Sequence, residues 1–407
     1  MELENKNNAK KATLNKRLIL LMSVASGLTA ANLYYIQPLL AEIAQYYHVT
    51  QGYSGLLATL TQIGDALGLL LILPLADILE RRKLILTMIL GTAAFLLLLF
   101  FSPNMIIALI ASFGIGFCSV IPQLLIPFAA QLASPSERGR VIGSIMSGLL
   151  IGNLLSRVGS GFIAKYMLWK NIYFIAAFFM LLLWVALRLA LPKSYGNSKI
   201  KYSESLKSMA VLIKQFPLLR ESSIIGAMAF LAFSAFWTTL TFLLQGSHYH
   251  MGTDVAGLFG LVGVVGALFS RSAGKLSDKK GARFTVGINI VVIIAAYVVL
   301  GILGVQLWGL IVGVILLDLG VQSCNVSNQT RIHQLSEEAR NRITAIYMVS
   351  YFLGGSLGSW LGTFSFQHFG WIGVCIVGVS SQLVAGYVHI NGKRRSTIYK
   401  KEVKDLH

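Results

Sequence analysis

The amino-acid sequence predicts an all-α membrane protein with twelve transmembrane helices in two parallel six-helix halves. Three observations indicate this fold class: an apolar composition, twelve apolar runs of bilayer length, and an internal repeat. Of the 407 residues, 55% are hydrophobic and only 12% are charged, which is about half the charged fraction of a typical soluble domain. A water-soluble globular protein is therefore excluded.

Each helix that crosses a bilayer core of about 30 Å needs roughly 20 apolar residues. The runs of this kind are 18–40, 53–75, 84–102, 105–130, 142–164, 171–191, 222–245, 254–274, 284–303, 306–327, 343–366 and 371–390. Strict alternation of apolar and polar residues is rare in them, which favours helices over the strands of an outer-membrane barrel. The first run has full bilayer length and lacks a small-residue cleavage site, so we expect a membrane anchor, not a signal peptide.

The positive charge of the chain is distributed unevenly along these spans. The sequence has 34 Lys and Arg residues against 16 Asp and Glu, a net charge of +18. All basic residues except Arg157, Lys165 and Lys170 lie at the termini, in loops that follow even-numbered spans, or at the ends of those spans, as Arg188 and Arg271 do. The positive-inside rule therefore predicts a multi-pass protein of the cell membrane, most simply a bacterial plasma membrane, with both termini cytoplasmic. The basic residues then face the anionic inner leaflet, and no nucleic-acid partner is expected.

An internal repeat supports the division into two halves. Several residue types recur at an offset of about 200 residues, as expected when a transporter is built from parallel repeats. The matching pairs are Asp77 and Asp278, Arg138 and Arg340, Arg140 and Arg342, Gly152 and Gly354, and Trp169 and Trp371. The predicted organisation is an N-terminal segment 1–17, a first half 18–191, a linker 192–221, a second half 222–390 and a tail 391–407. Within the linker, residues 203–216 form either an amphipathic helix on the inner leaflet or a solvated connection.

Residues 274–283 (GKLSDKKGAR) resemble the cytoplasmic loop signature of the major facilitator superfamily. The first-half copy at residues 73–83 keeps Asp77 and its basic cluster, but has Leu73, Ile78 and Glu80 where glycine, a base and glycine are usual. The resemblance extends over the whole chain. It implies a monomeric secondary transporter that works by alternating access.

Several further segments are similar to the proton-coupled drug-efflux branch of the superfamily, near the sugar and nucleoside efflux permeases. These segments are residues 34–40 (YYIQPLL), 62–64 (QIG), 318–322 (DLGVQ), 328–332 (NQTRI) and 347–355 (YMVSYFLGG). Two hallmarks of drug antiporters are weak. The arginine of span 4 has no counterpart in residues 109–117, and the Gly-Pro motif of span 5 survives only as Gly148, Gly152 and Asn153.

The resemblance also implies a latch on the cytoplasmic side. In the superfamily the loop carboxylate meets the start of a helix in the other half, where the positive end of the helix dipole stabilises it. The predicted latch residues are Asp77, Arg81, Arg138, Gly274, Asp278, Gly281, Arg283 and Arg340. The same basic residues also determine membrane topology.

Three charged residues lie deep inside apolar spans: Asp65, Arg157 and Asp318. A charge near the bilayer centre costs roughly 2.5–3.5 kcal/mol on insertion scales, so each needs a partner or a function. We expect Asp318 or Asp65 to carry the coupling proton, and Arg157 to stabilise the carboxylate or to bind an anionic substrate group. The alternatives are a static buried ion pair and a carboxylate bonded to a neighbouring backbone group.

The resemblance implies a central cavity lined by spans 1, 4, 7 and 10. The candidate substrate contacts are its polar and aromatic residues at mid-depth: Asn32, Tyr35, Gln37, Gln123, Phe236, Trp237, Gln322 and Asn325. Aromatic faces with a few amides suit an amphipathic or planar molecule. The alternatives are helix packing for the aromatic residues and interhelical hydrogen bonds for the amides.

No cofactor, metal site or enzymatic activity is expected. The histidines lie apart without cysteines or paired carboxylates nearby, and no phosphate-binding glycine loop is present. The sequence therefore predicts multidrug-type efflux of a drug, sugar or nucleoside by proton antiport. The alternatives are proton-coupled nutrient uptake by symport and a membrane-embedded enzyme such as an acyltransferase.

Overall fold

The computed structural model describes residues 15–134, 136–194, 202–263, 265–266, 281–336 and 339–404, without the side chains of Asp77 and of residues 393–404. The helices are α1 (Lys16–Ala31), α2 (Leu40–Tyr46), α3 (Gln51–Ile72), α4 (Arg81–Phe100), α5 (Met105–Cys118), α6 (Ile121–Leu132), α7 (Arg138–Tyr166), α8 (Asn171–Ala190), α9 (Tyr202–Gln215), α10 (Pro217–Gln245), α11 (Thr253–Gly263), α12 (Ala282–Leu303), α13 (Leu307–Ile332) and α14 (Arg340–Lys404). The predicted all-α membrane fold class is confirmed. Only the first part of the predicted span 254–274 is described, as α11.

Two of the crossings are broken into two helices each. The first consists of α1 and α2, joined by a short turn and the 3-10 helix Gln37–Leu39, in which Pro38 occupies the first turn. The fourth consists of α5 and α6, with Pro122 in the first turn of α6. Proline has no N–H to donate, so it is tolerated where the first N–H groups of a helix lack a partner.

Helix α14 makes the last two crossings in a single element. Gly370 has φ 61° and ψ −154°, a conformation that L side chains rarely adopt, and the chain reverses there. Before it, Gly354 and Gly358 pack against Ala227 and Leu231 of α10. After it, the Trp371 indole donates to the Leu300 carbonyl at 2.9 Å, and the Gln382 amide donates to the Met228 carbonyl at 2.9 Å.

Close helix packing repeats between the halves. A Cβ added to Gly152 of α7 would collide with the backbone of Gly27 in α1, and one added to Gly354 of α14 would collide with the backbone of Ala227 in α10. Gly152 and Gly354 are one of the matching pairs of the internal repeat. In both halves this glycine lets the fifth crossing approach the first crossing of the same half, as small residues do in membrane helix pairs.

The segment between the halves contains the helix α9. Met209 and Leu212 are buried, whereas Lys207 and Lys214 are exposed. The Tyr202 hydroxyl donates to the Leu71 carbonyl of α3 at 3.0 Å, and Arg342 of α14 donates to the Ser208 hydroxyl at 2.8 Å. A helix therefore forms in this part of the linker and packs Met209 and Leu212 against the protein, while Val211 and Ile213 are exposed. Its position on the inner leaflet stays a prediction.

The two ends of the bundle differ in charge. The basic face is the end at which α7 begins at Arg138 and α14 begins at Arg340. The opposite face is the end at which α7 finishes and α8 begins, with Lys165 and Lys170.

Candidate substrate-binding cavity

A cavity of about 950 Å³ lies between the two halves. Its wall includes residues of α1, α3, α6, α7, α10, α13 and α14. At one end it reaches Arg157 and Asp318, and at the other end it is lined by Arg138, Arg340 and Asn341, which are exposed on the basic face. The cavity therefore opens at the basic face.

Contacts between the halves close the opposite face. Lys165 of α7 forms an ion pair with Asp254 of α11 at 2.7 Å. Further hydrogen bonds join the halves: Thr241 Oγ1 donates to the Pro38 carbonyl at 2.9 Å, the Gly52 N–H donates to Gln367 Oε1 at 3.0 Å, and Thr253 Oγ1 donates to Glu42 Oε1 at 3.3 Å. In the described part of the chain these contacts close the opposite face, and the cavity opens at the basic face.

Arg157 lies at the closed end of the cavity with only 6% of its surface exposed. Its Nε donates to Gln37 Oε1 at 2.9 Å. The guanidinium carbon lies 4.2 Å from the centroid of the Trp237 ring, 4.9 Å from that of Tyr34 and 5.6 Å from that of Phe233. Cation–π contacts of this kind stabilise a desolvated guanidinium, so the site holds the charge in place without a carboxylate in contact.

Asp318 of α13 faces the same end of the cavity from the second half. It is 5% exposed, and its Oδ2 has no hydrogen-bond partner among the described residues. The Trp237 indole Nε1 approaches this carboxyl but completes no hydrogen bond. Arg157 and Asp318 interact electrostatically, yet no Arg157 nitrogen comes within the 4.0 Å of an ion pair with an Asp318 oxygen. The predicted static ion pair is therefore not formed in this conformation.

Asp65 occupies a different environment from Asp318. It is fully buried in α3, and neither carboxyl oxygen has a hydrogen-bond partner. The α5 residue Gly116 packs closely against the backbone at this point, and Asp65 does not line the cavity. An ionised carboxylate without a partner is strongly disfavoured in an apolar environment, so this geometry suits the neutral acid.

Aromatic rings of the second half form one wall of the cavity. Phe230 stacks on Tyr351 with a centroid distance of 4.1 Å and on Phe233 at 5.4 Å, both with an interplanar angle of 17°. Phe352 meets Phe230 edge-on at 5.5 Å. We call Phe230, Phe233, Tyr351 and Phe352 the aromatic wall. It extends from beside Arg157 towards the basic face and offers flat apolar surface to a ligand.

The predicted substrate contacts divide between the cavity wall and helix contacts. Gln123, Gln322 and Asn325 line the cavity. Gln37 and Trp237 lie behind it, where they hold Arg157. The remaining three are buried in helix packing: Asn32 donates to Met180 Sδ at 3.6 Å, Phe236 contacts Trp371, and Tyr35 lies off the wall.

Sequence reasoning missed Tyr34, Asn153 and the aromatic wall. The helical spacing contains the signal for the first crossing, because Ala30 and Tyr34 lie one turn apart and both line the cavity. Tyr35 follows Tyr34 directly and therefore points to a different side. The aromatic wall has no such signal, because nothing in the sequence marks which side of α10 faces the cavity.

The structure describes only part of the predicted latch. Arg138 and Arg340 are exposed at the cavity mouth. Arg81 donates to the Ala76 carbonyl at 3.0 Å and to Gln131, both in its own half. Gly281 precedes α12 with φ 89°. Gly274 and Asp278 lie outside the described residues, as does the side chain of Asp77.

A buried charge cluster on the basic face was not anticipated by the sequence. Glu221 near the start of α10 pairs with Arg331 at 2.8 Å and with Arg283 at 3.2 Å. His389 Nδ1 lies 3.8 Å from the same carboxylate, and Arg283 also donates to the His389 carbonyl. All of these residues belong to the second half. The cluster therefore holds α10, α12, α13 and α14 together rather than joining the halves.

His333 is the histidine at the cavity mouth. Its ring lies 3.1 Å from the Thr344 hydroxyl. Partial burial, reinforced by the nearby charge of Arg340, lowers the pKa of His333 below its usual value of 6.5. A lowered pKa disfavours the charged form of this imidazole.

Comparison with known proteins shows the family to which this chain is related. A sequence model described as the Major Facilitator Superfamily matches residues 22–359. The chain is 38% identical to the putative uncharacterized transporter YgaY of Escherichia coli K12, over 91% of this chain and 94% of YgaY. It is 25% identical to a probable sugar efflux transporter of Helicobacter pylori, over 85% and 88% of the two chains. The crystal structure of a mutant of the nucleoside transporter NupG superposes with a TM-score of 0.74 and 12% identity, over 92% of this chain and 99% of that one. At this identity the likeness to NupG concerns the fold alone.

Proposed function

Because the chain belongs to the Major Facilitator Superfamily, we propose that this multi-pass membrane transporter exports a small organic molecule in exchange for protons. The observation that carries the proposal is the position of Arg157 and Asp318. One residue from each half faces the same closed end of a cavity, and neither is neutralised by a contacting partner. A carboxyl in this position gains and loses a proton as its surroundings change, which is the minimum chemistry of proton coupling.

Alternating access is supported by the contrast between the two faces. The opposite face is sealed by hydrogen bonds and an ion pair across the halves, while the basic face exposes the cavity. Rocking one half against the other would break the first set of contacts and close the mouth. Substrate and protons would then reach Asp318 from each side in turn.

We further propose that the basic face is cytoplasmic, because basic loops are retained on that side of a membrane. Both termini belong to this face in the proposal. The latch residues would then act when the mouth closes, as Arg138 and Arg340 approach the carboxylates of the loops. Efflux names among the relatives, such as the probable sugar efflux transporter of Helicobacter pylori, are consistent with export through this route.

Two roles are proposed for the buried carboxyls. Asp318 exchanges its proton with the cavity because it lines the wall, and the charge of Arg157 stabilises its ionised form. Asp65 lies off the cavity with both oxygens unpartnered. Its proton would be exchanged only after the halves rearrange.

The test is a proton-flux assay in proteoliposomes that contain a pH-sensitive dye, with a panel of drugs, sugars and nucleosides. We expect at least one compound to drive proton movement in the native protein and Asp318→Asn to abolish that movement. Asp65→Asn tests the second carboxyl, and Glu137→Gln on the exposed basic face is the matched control. Retention of full coupling by both Asp variants would contradict the proposal. A compound that moves together with protons, rather than against them, would establish symport instead.

A further inference from the structure

Arg157 has hydrogen-bond donors that the protein does not use. A guanidinium carries five N–H groups, and among the described residues the only acceptor for them is Gln37 Oε1, which accepts from Nε. The rings of Trp237 and Tyr34 lie over the guanidinium, so its remaining donors point away in its own plane. Since Arg157 lines the cavity, these donors are available to a ligand.

Asp318 supplies the complementary acceptor. Its Oδ2 is buried without a donor, and a buried carboxylate oxygen without a partner costs free energy until a donor arrives. The two groups flank the same turn of α11. A Cβ added to Gly260 would lie 3.2 Å from Arg157 Cβ, and one added to Gly263 would lie 3.2 Å from Asp318 Cγ. A gap bordered by donors on one side and an acceptor on the other remains between them.

The net charge of this gap selects against ionic substrates. The charges of Arg157 and ionised Asp318 sum to zero. Among the described residues, the other titratable groups that interact with them are the hydroxyls of Tyr34 and Tyr351, with Asp65 beyond Tyr34. An anion or cation bound here would leave an uncompensated charge in a desolvated site, which is costly. An uncharged group that accepts from Arg157 and donates to Asp318 satisfies both without changing the net charge.

The surrounding surface specifies the shape of that group. The nearly parallel rings of Phe230, Phe233 and Tyr351 line the cavity beside Arg157 and favour a flat apolar ring packed against them. Further along the cavity, Gln123 Oε1 and Asn153 Oδ1 are buried acceptors without donors. Hydroxyl groups attached to the ring would satisfy these acceptors.

We propose that Arg157 and Asp318 bind the edge of an uncharged nucleobase, and that the substrate is a nucleoside whose sugar hydroxyls meet Gln123 and Asn153. This assignment rests on the proposed transport function and specifies its substrate. It also predicts whether protons and substrate move in opposite directions or together. A proton on Asp318 removes the acceptor that the base needs, so proton and nucleoside compete for the site, as antiport requires. A nucleotide should not compete with the proton in this way, because its phosphate charge is tolerated only when Asp318 is protonated.

The test is equilibrium binding of radiolabelled uridine and adenosine to the full chain in lipid nanodiscs, over a range of pH. We expect uridine or adenosine to bind, more weakly as the pH falls. Arabinose and the nucleoside monophosphates should compete poorly at neutral pH. Arg157→Lys should weaken binding by about tenfold or more, because a lysine cannot present the planar fork of donors. Asp318→Asn should remove the pH dependence. Arg220→Lys, an exposed arginine outside the cavity, is the matched control.

Three results would overturn the assignment. The first is that neither nucleoside binds, although another compound of the panel drives proton flux; the transport function then stands and the substrate is wrong. The second is tighter nucleoside binding at acidic pH. The third is that the Arg157→Lys variant remains monodisperse and binds nucleosides with the same affinity as the native protein. If no compound drives proton flux at all, the proposed function itself fails.

Discussion

The two faces of the bundle use their charged and polar residues in opposite ways. On the basic face, the contacts of Glu221 with Arg283 and Arg331 stay within one half. On the opposite face, Lys165 and Asp254 pair across the halves. The first arrangement fixes the second half internally and does not join the halves at the cavity mouth, while the second holds the halves together.

Glycine contacts also distinguish the closed opposite face from the open basic face. At the closed end, a Cβ on Gly161 would collide with the Thr253 carbonyl, and one on Gly55 would collide with the Thr363 side chain. These contacts join α7 to α11 and α3 to α14, and so cross between the halves. Towards the basic face, Leu69 and Leu73 continue α3 as cavity wall. The same helices therefore seal one side and open the other, as expected for halves that rock about a central site.

The largest expected effect comes from breaking the charge cluster within the second half. Glu221→Gln leaves Arg331, of which 6% of the side chain is exposed, without its carboxylate. Loss of one partner of a buried pair costs about 3–5 kcal/mol. We expect a lower thermal unfolding temperature for the purified protein, with no change in which face is open. Glu137→Gln removes the exposed partner of Arg140 and should cost less than about 1 kcal/mol; equal losses in both variants would contradict the distinction.

The next effect concerns the glycine contact across the halves. Gly161→Leu inserts a side chain where only hydrogen fits, and overpacking of this kind costs about 1–3 kcal/mol. The cost falls on the conformation closed at the opposite face, so substrate transport should fall and the other conformation should gain population. Gly159→Leu is the matched control, because a Cβ there meets nothing within 4 Å. Similar transport losses in the two variants would argue against a seal at Gly161.

A smaller effect is expected from the buried hydrogen bonds of Gln62. Its Nε2 donates to Ser359 Oγ at 3.0 Å and its Oε1 accepts from Ser234 Oγ at 3.3 Å, both in the other half. Gln62→Ala should cost about 1 kcal/mol and shift the conformational equilibrium in a fluorescence-quenching measurement across the opposite face. Gln382 bonds only within its own half, so Gln382→Ala should lower unfolding stability and leave that equilibrium unchanged. A shift in the equilibrium caused by Gln382→Ala alone would reverse the interpretation.

The smallest effect should come from the ion pair Lys165–Asp254. Lys165 is well exposed, and salt screens exposed pairs. Lys165→Gln should slightly raise the rate at which the opposite face opens. This difference from the native protein should vanish at high salt. Exchange of the two charges in Lys165→Asp with Asp254→Lys should restore the native rate. An effect of Lys165→Gln that is independent of salt would show that the pair acts through packing.

The sequence predicts the fold well because bilayer length and the distribution of basic residues are local properties. The repeat even identifies Gly152 and Gly354, which pack against the first crossing of their own halves. Arg157 and Asp318 were found for a related reason, since a charge inside an apolar span is conspicuous without a structure.

The rest of the site depends on the direction of side chains and on distant contacts. Tyr34 lines the cavity and Tyr35 does not, and the spacing from Ala30 separates the two only once the side of α1 that faces the cavity is known. Glu221 meets Arg283 and Arg331 only because three helices converge. The sequence positions of these three residues do not predict that the helices bring them together.

Alternate opening of the two faces is the central claim, and pulsed electron paramagnetic resonance measures it most directly. Spin labels at Ser136→Cys with Asn341→Cys report the basic face, and those at Tyr166→Cys with Phe369→Cys report the opposite face; the native cysteines are buried. As a proton gradient or substrate is applied in proteoliposomes, we expect one distance to shorten while the other lengthens. Distances that change in the same direction, or that do not change while transport proceeds, would contradict alternating access.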